Sequence, residues 1–130
     1  MQARRFAMVF GAVYVVVGLL GFVVTGLSDF AATSGDKLIL FGVNPLHNLV
    51  HIAVGGAWLL SSRTEAAARA VSALIGAVYL VVGVVGLFVA GGGSELNILN
   101  LNQPDNLLHF ASALAALYFG LATRRTAAAA

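Results

Sequence analysis

The side chains able to do chemistry in this 130-residue chain gather in two short stretches. Residues 44–53 read NPLHNLVHIA and residues 102–111 read NQPDNLLHFA. In the first, Asn44, Asn48 and His51 fall at i, i+4 and i+7, one face of a helix. Asn102, Asn106 and His109 repeat that face, and His47 and Asp105 hold equivalent positions on it. Each stretch opens as a helix start, with asparagine as N-cap and proline in the first turn. Three uses fit this inventory. His47-x-x-x-His51 can chelate a metal from one helical face, although it lacks the glutamate of a zinc-protease helix. His51 and His109 can be the two axial ligands of a b-type haem, a cofactor that bundle cores accommodate. The whole set can instead be a hydrogen-bond network tying two helices together.

Other reaction chemistry fails for want of parts. The chain has no cysteine, hence no thiolate ligand or nucleophile. Asp29, Asp36, Glu65, Glu95 and Asp105 offer no converging carboxylate pair. Ser112 has no nucleophile elbow around it. Gly91-Gly92-Gly93 lacks the lysine and the strand-to-helix context of a phosphate loop, and reads as a helix end. Glu65 and Arg69, at i and i+4, read as a solvated helix start. The expectation is a protein that is not an enzyme.

The elements that position the cluster follow from composition. Apolar residues make up 60% and charged residues 9% of the sequence, and mean hydropathy is +0.95. Soluble domains carry about 25% charged residues, so most of this chain must face lipid. Residues 6–28, 38–62, 70–94 and 106–123 contain no charge. About 20 apolar residues cross a hydrocarbon core of about 30 Å, which predicts spans near 6–27, 45–62, 69–91 and 104–123. Of the seven Lys and Arg, Arg4, Arg5, Arg63, Arg69, Arg124 and Arg125 fall at one end of these spans and only Lys37 at the other. The positive-inside rule then places both termini in the cytoplasm and the 28–43 and 92–103 loops outside. The first apolar run is longer than a signal peptide's and recurs in mid-chain, which argues for a retained helix. A net charge of +2 is too small to suggest nucleic acid.

That recurrence defines the architecture. Residues 11–26, GAVYVVVGLLGFVVTG, and 76–91, GAVYLVVGVVGLFVAG, are identical at ten of sixteen positions. With the paired Asn/His stretches, they make the chain a tandem duplication, repeat one near 6–62 and repeat two near 69–123. The predicted fold is all-α: one transmembrane domain over 1–130, a four-helix bundle of two hairpins related by a pseudo-two-fold axis along the membrane normal. Gly11 and Gly18, like Gly76 and Gly83, are seven residues apart and should line close helix contacts. Tyr14 and Tyr79 should lean toward their own N-termini. They are expected to stop short of the histidines and to bond a neighbouring helix carbonyl. His47 and Asp105 break the symmetry near the positive end of a helix dipole, which suits the anion and not a cation. Either Asp105 accepts a hydrogen bond from His47 across the axis, as a latch, or both are solvated.

Residues 44–51 and 102–109 together resemble the paired signatures of a bacterial, mainly actinobacterial, family of four-helix integral membrane proteins, domain of unknown function 4383. The resemblance covers about residues 6–123, with His47 standing in repeat one where Asp105 stands in repeat two. It implies an integral membrane fold and brings no activity or substrate. Function is therefore expected from the residues alone: a structural or accessory subunit of a larger assembly in the bacterial inner membrane, with lipid and other membrane subunits as partners. The alternatives are a haem- or metal-binding membrane protein and a small transporter or ligand-binding protein using the polar groove.

Overall fold

A computed structural model describes residues 1–91 and 93–121. Arg124, Arg125, Gly92 and the end of the fourth expected span lie outside the described residues. Four helices form the body: α1 (Gln2–Thr25), α2 (Pro45–Ser61), α3 (Glu65–Val89) and α4 (Gln103–Leu121). The 28–43 segment also contains an antiparallel pair of two-residue strands, β1 (Lys37–Leu38) and β2 (Phe41–Gly42), joined by a tight turn.

Helices α1 and α3 begin at Gln2 and Glu65, earlier than the expected 6 and 69. Hydropathy marks where lipid begins, whereas a helix begins where its first N–H groups find acceptors. Thr64 accepts from the Ala67 N–H and starts α3. The Glu65 carboxylate accepts from the Ala3 N–H and so caps α1 from the other repeat. It pairs with the Met1 amino group at 2.7 Å and not with Arg69, whose Nε donates to the Gly120 carbonyl instead. At the far end α1 stops at Gly26 (φ +59°) and α3 just before Gly91 (φ +73°), left-handed conformations that favour glycine.

Within each hairpin the helices touch backbone to backbone. A Cβ on Gly11 would meet the Gly55 carbonyl oxygen at 2.8 Å, and one on Gly18 the Asn48 carbonyl oxygen at 2.6 Å. In the second hairpin Gly76 faces Leu117 and Ala113, and Gly83 faces the Phe110 ring. The hairpins then meet through α1 against α3, α2 against α3 and α1 against α4. Exchanging the repeats maps the last two contacts onto each other and the first onto itself, as a two-fold axis requires. Phe6, Tyr14, Trp58 and Tyr79 fill the centre, and the fully buried Trp58 indole donates to Ser72 Oγ at 3.1 Å. Valines and leucines such as Val13, Val16, Leu19, Val78, Val81 and Leu87 stay exposed on the flanks. Helices α1 and α3, at 24 and 25 residues, are long and apolar enough to cross a membrane. Helix α2 has 17 residues, about 26 Å by helical rise, so two of the four expected spans meet that test among the described residues.

Candidate functional site

The site lies at the loop end of the bundle, where α2 and α4 begin. Asn44 Oδ1 accepts from the His47 N–H at 2.7 Å, and Asn102 Oδ1 accepts from the Asp105 N–H at 3.1 Å, as the N-cap reading requires. Each cap also reaches across the axis. Asn44 Nδ2 donates to the Ile98 carbonyl and Asn102 Nδ2 to the Leu40 carbonyl. Leu40 and Ile98 share the 58-residue offset that relates Asn44 to Asn102, so these two bonds are symmetry mates that stitch each helix start to the other repeat's loop.

His47 and Asp105 do come together, though neither as a direct pair nor as solvated groups. Both are buried. Asp105 Oδ2 accepts from the Gly42 N–H at 2.9 Å, and His47 Nδ1 lies 3.0 Å from the Gly42 carbonyl oxygen. The Gly42 residue of β2 is therefore the bridge. Asp105 accepts in addition from the Asn102 N–H, closing its own helix cap. A Cβ on Gly42 would collide with the Asn100 carbonyl, which explains the residue type. Sequence reasoning missed Gly42, as it missed the buried Asn97 and Asn100. Asn97 Oδ1 accepts from the Leu101 N–H, and Asn100 Nδ2 donates to the Val43 carbonyl. The available signal was the density of asparagine just before α4, together with the left-handed backbone that Asn100 adopts (φ +53°).

One layer deeper, Asn48 and Asn106 insert their carboxamides against Gly21 and Gly86, where a Cβ would overlap the amide oxygen. These glycines are seats for the polar residues, beyond the packing glycines expected from the seven-residue period. Asn48 Nδ2 donates to Thr25 Oγ1 at 3.0 Å, while Asn106 turns to Gln103 Oε1 at 3.3 Å.

The three histidines converge. Ring nitrogens of His47, His51 and His109, one from each residue, all lie within 4.8 Å of one another, and all three side chains are buried. The tyrosines reach them, contrary to the sequence expectation. Tyr79 stacks on His109 (centroids 5.3 Å, interplanar 18°) and Tyr14 meets His51 edge-on at 5.3 Å. The early starts of α1 and α3 carry both tyrosines further toward the loop end than spans beginning at 6 and 69 would. Tyr14 Oη also bonds Ser112 Oγ at 2.6 Å, a side chain where a helix carbonyl was expected. Tyr79 Oη is buried facing Tyr14, outside good hydrogen-bond geometry.

A cluster of this shape suits a single ion better than a haem. His47 lies 4.5 Å from His51 and 6.0 Å from His109 by ring centroids, and Tyr79 covers one face of His109. A macrocycle between His51 and His109 would have to displace these rings. Searches of curated proteins and of solved structures found no match. The family comparison does match, over residues 4–122, and the chain belongs to the family described as a domain of unknown function, DUF4383.

Proposed function

We propose that this chain is a small integral membrane protein without catalytic activity of its own, acting as a subunit of a larger membrane assembly and docking through its loop end. The observation that carries the reading is the tip between β1 and β2. Ile39 is 85% exposed and adopts φ +60°, a genuine outlier for a β-branched residue. Leu40 beside it and Leu96 in the other loop are also largely exposed. Apolar helix flanks are covered by lipid, but apolar loops beyond the helix ends need another cover, and strained, exposed residues cluster at functional sites. Membrane insertion itself is supported by the charge-free helix flanks and by Arg4, Arg63 and Glu65 grouping at the opposite, terminal end. The positive-inside rule orients that end to the cytoplasm.

Site-specific photo-crosslinking from position 39 in intact bacterial membranes tests this. A discrete protein adduct, lost when Leu40 is changed to Asn, is the expected result. Crosslinks to lipid alone would overturn the docking surface. Labelling of a cysteine at position 2 by an impermeant reagent added outside the cells would overturn the orientation.

A further inference from the structure

We propose that His47, His51 and His109 form a binding site for one monovalent copper ion, buried between the two repeats. This inference is independent of the docking surface proposed above. It begins with three imidazoles whose nitrogens already lie within 4.8 Å of one another. At a metal–nitrogen distance of about 2.0 Å, a trigonal site places its nitrogens about 3.5 Å apart. Shifts of about an ångström, within reach of side-chain rotation, close the set.

Hydrogen bonding points the same way. Nδ1 of His51 and Nδ1 of His109 are buried with no hydrogen-bond partner, an arrangement that natural interiors avoid unless something is to occupy it. His47 is oriented as metal ligands usually are, with its Nδ1 on a backbone carbonyl, that of Gly42. The ring planes are already set, His109 by its stack on Tyr79 and His51 by the edge of Tyr14.

The donor set selects the ion. Imidazole suits copper, zinc, iron and nickel. The sequence has no cysteine, and Asp105, whose Oδ2 accepts two backbone N–H groups, is not among the side chains whose ligand atoms converge. Three neutral imidazoles leave the full charge of the ion in a medium of low dielectric. The cost of burying a charge rises with its square, so a dication would pay about four times what a monocation does. Copper(I) is the member of this group with a stable single charge, and it accepts three ligands without a fourth.

The test titrates the purified full-length chain in detergent, under anaerobic reducing conditions, with copper(I) buffered by bathocuproine disulfonate, and in parallel with zinc(II). One copper(I) per chain is expected. His51→Gln and His109→Gln should each weaken binding at least ~10–100-fold, the range for disrupting a metal ligand's environment, with helical circular dichroism unchanged. Copper-edge X-ray absorption on the unaltered chain should show nitrogen scatterers and no sulfur. That measurement keeps the proposal testable even if a variant fails to fold. Absence of stoichiometric copper by the folded chain, undiminished binding in the His51→Gln/His109→Gln double variant, sulfur in the first shell, or tighter binding of zinc(II) would each overturn it.

Discussion

Gly11, Gly18 and Gly21 of the first hairpin and Gly76, Gly83 and Gly86 of the second stand at one constant offset of 65 residues, and each triplet faces corresponding residues of α2 or α4. Below the matching caps at Asn44 and Asn102, the side-chain hydrogen bonds of the two hairpins differ. Tyr14 has Ser112 as its partner, but the residue that would serve Tyr79 in the other repeat is Val54. Asn48 has Thr25, but Asn106 faces a helix carrying Ala90 at that place. Trp58 and its acceptor Ser72 correspond to Ala116 and Ala7. Small residues that allow backbones to touch are thus common to both repeats, while the Tyr14–Ser112, Asn48–Thr25 and Trp58–Ser72 bonds are made only once. The reason is geometric. Groups on the bundle axis meet their own symmetry mates, so two copies of Trp58 would compete for one central space.

The largest expected effect probes the shared part. Gly18 and Gly83 are equivalent, yet a Cβ on Gly18 meets a backbone carbonyl oxygen at 2.6 Å and one on Gly83 meets the edge of the Phe110 ring at 3.0 Å. A ring can tilt, whereas a helix carbonyl moves only with its helix. Gly18→Ala should cost about 1–3 kcal/mol, the range for overpacking, and Gly83→Ala less than about 1 kcal/mol. Equilibrium unfolding in mixed detergent reads both. Equal losses would mean that the two interfaces are interchangeable.

A second test rewrites the asymmetry itself. Ser112→Ala leaves the buried Tyr14 hydroxyl without its partner and should cost about 1–2 kcal/mol. Val54→Thr keeps the side chain's shape, supplies the hydroxyl that Tyr79 lacks, and should gain about 0.5–1.5 kcal/mol. If Val54→Thr destabilises instead, Tyr79 does not occupy the place that symmetry assigns to it.

These contrasts also mark what could be read from the residues. The hairpins, the caps at Asn44 and Asn102, the packing glycines and the polar face of His51 and His109 follow from local spacing, and spacing survives into the fold. The crossed bonds from Asn44 to Ile98 and from Asn102 to Leu40 span 54 and 62 residues. They depend on how two hairpins face each other, which no local pattern encodes. His47 and Asp105 differ at equivalent positions, and that break in symmetry is plain in the sequence. Their meeting through Gly42 escaped because β1 and β2 lie in a segment with no periodicity to announce a strand pair. Spacing offers the pairs His47–His51 and His51–His109, but the convergence of all three rings depends on the same segment, since His47 Nδ1 lies on the Gly42 carbonyl.

The smallest expected effect concerns the terminal end, where two equivalent helix starts are capped by different means. α3 is capped from within by Thr64, whose hydroxyl accepts from the Ala67 N–H at 3.1 Å. α1 has no side-chain cap of its own and borrows the Glu65 carboxylate, which accepts from the Ala3 N–H at 3.1 Å and pairs with the Met1 amino group. A negative charge at a helix start is favourable, but Glu65 is 33% exposed and water and salt screen it. Thr64→Ala removes an acceptor outright and should cost about 1 kcal/mol at any ionic strength. Glu65→Gln keeps an amide oxygen able to accept from Ala3 and loses only the charge. Its cost should stay below about 1 kcal/mol and fall further between low salt and 1 M salt, where the screening length drops to about 3 Å. Unfolding of both variants across a salt series separates the two caps. A salt-dependent loss in Thr64→Ala, or a salt-independent one in Glu65→Gln, would mean that charge does not distinguish them.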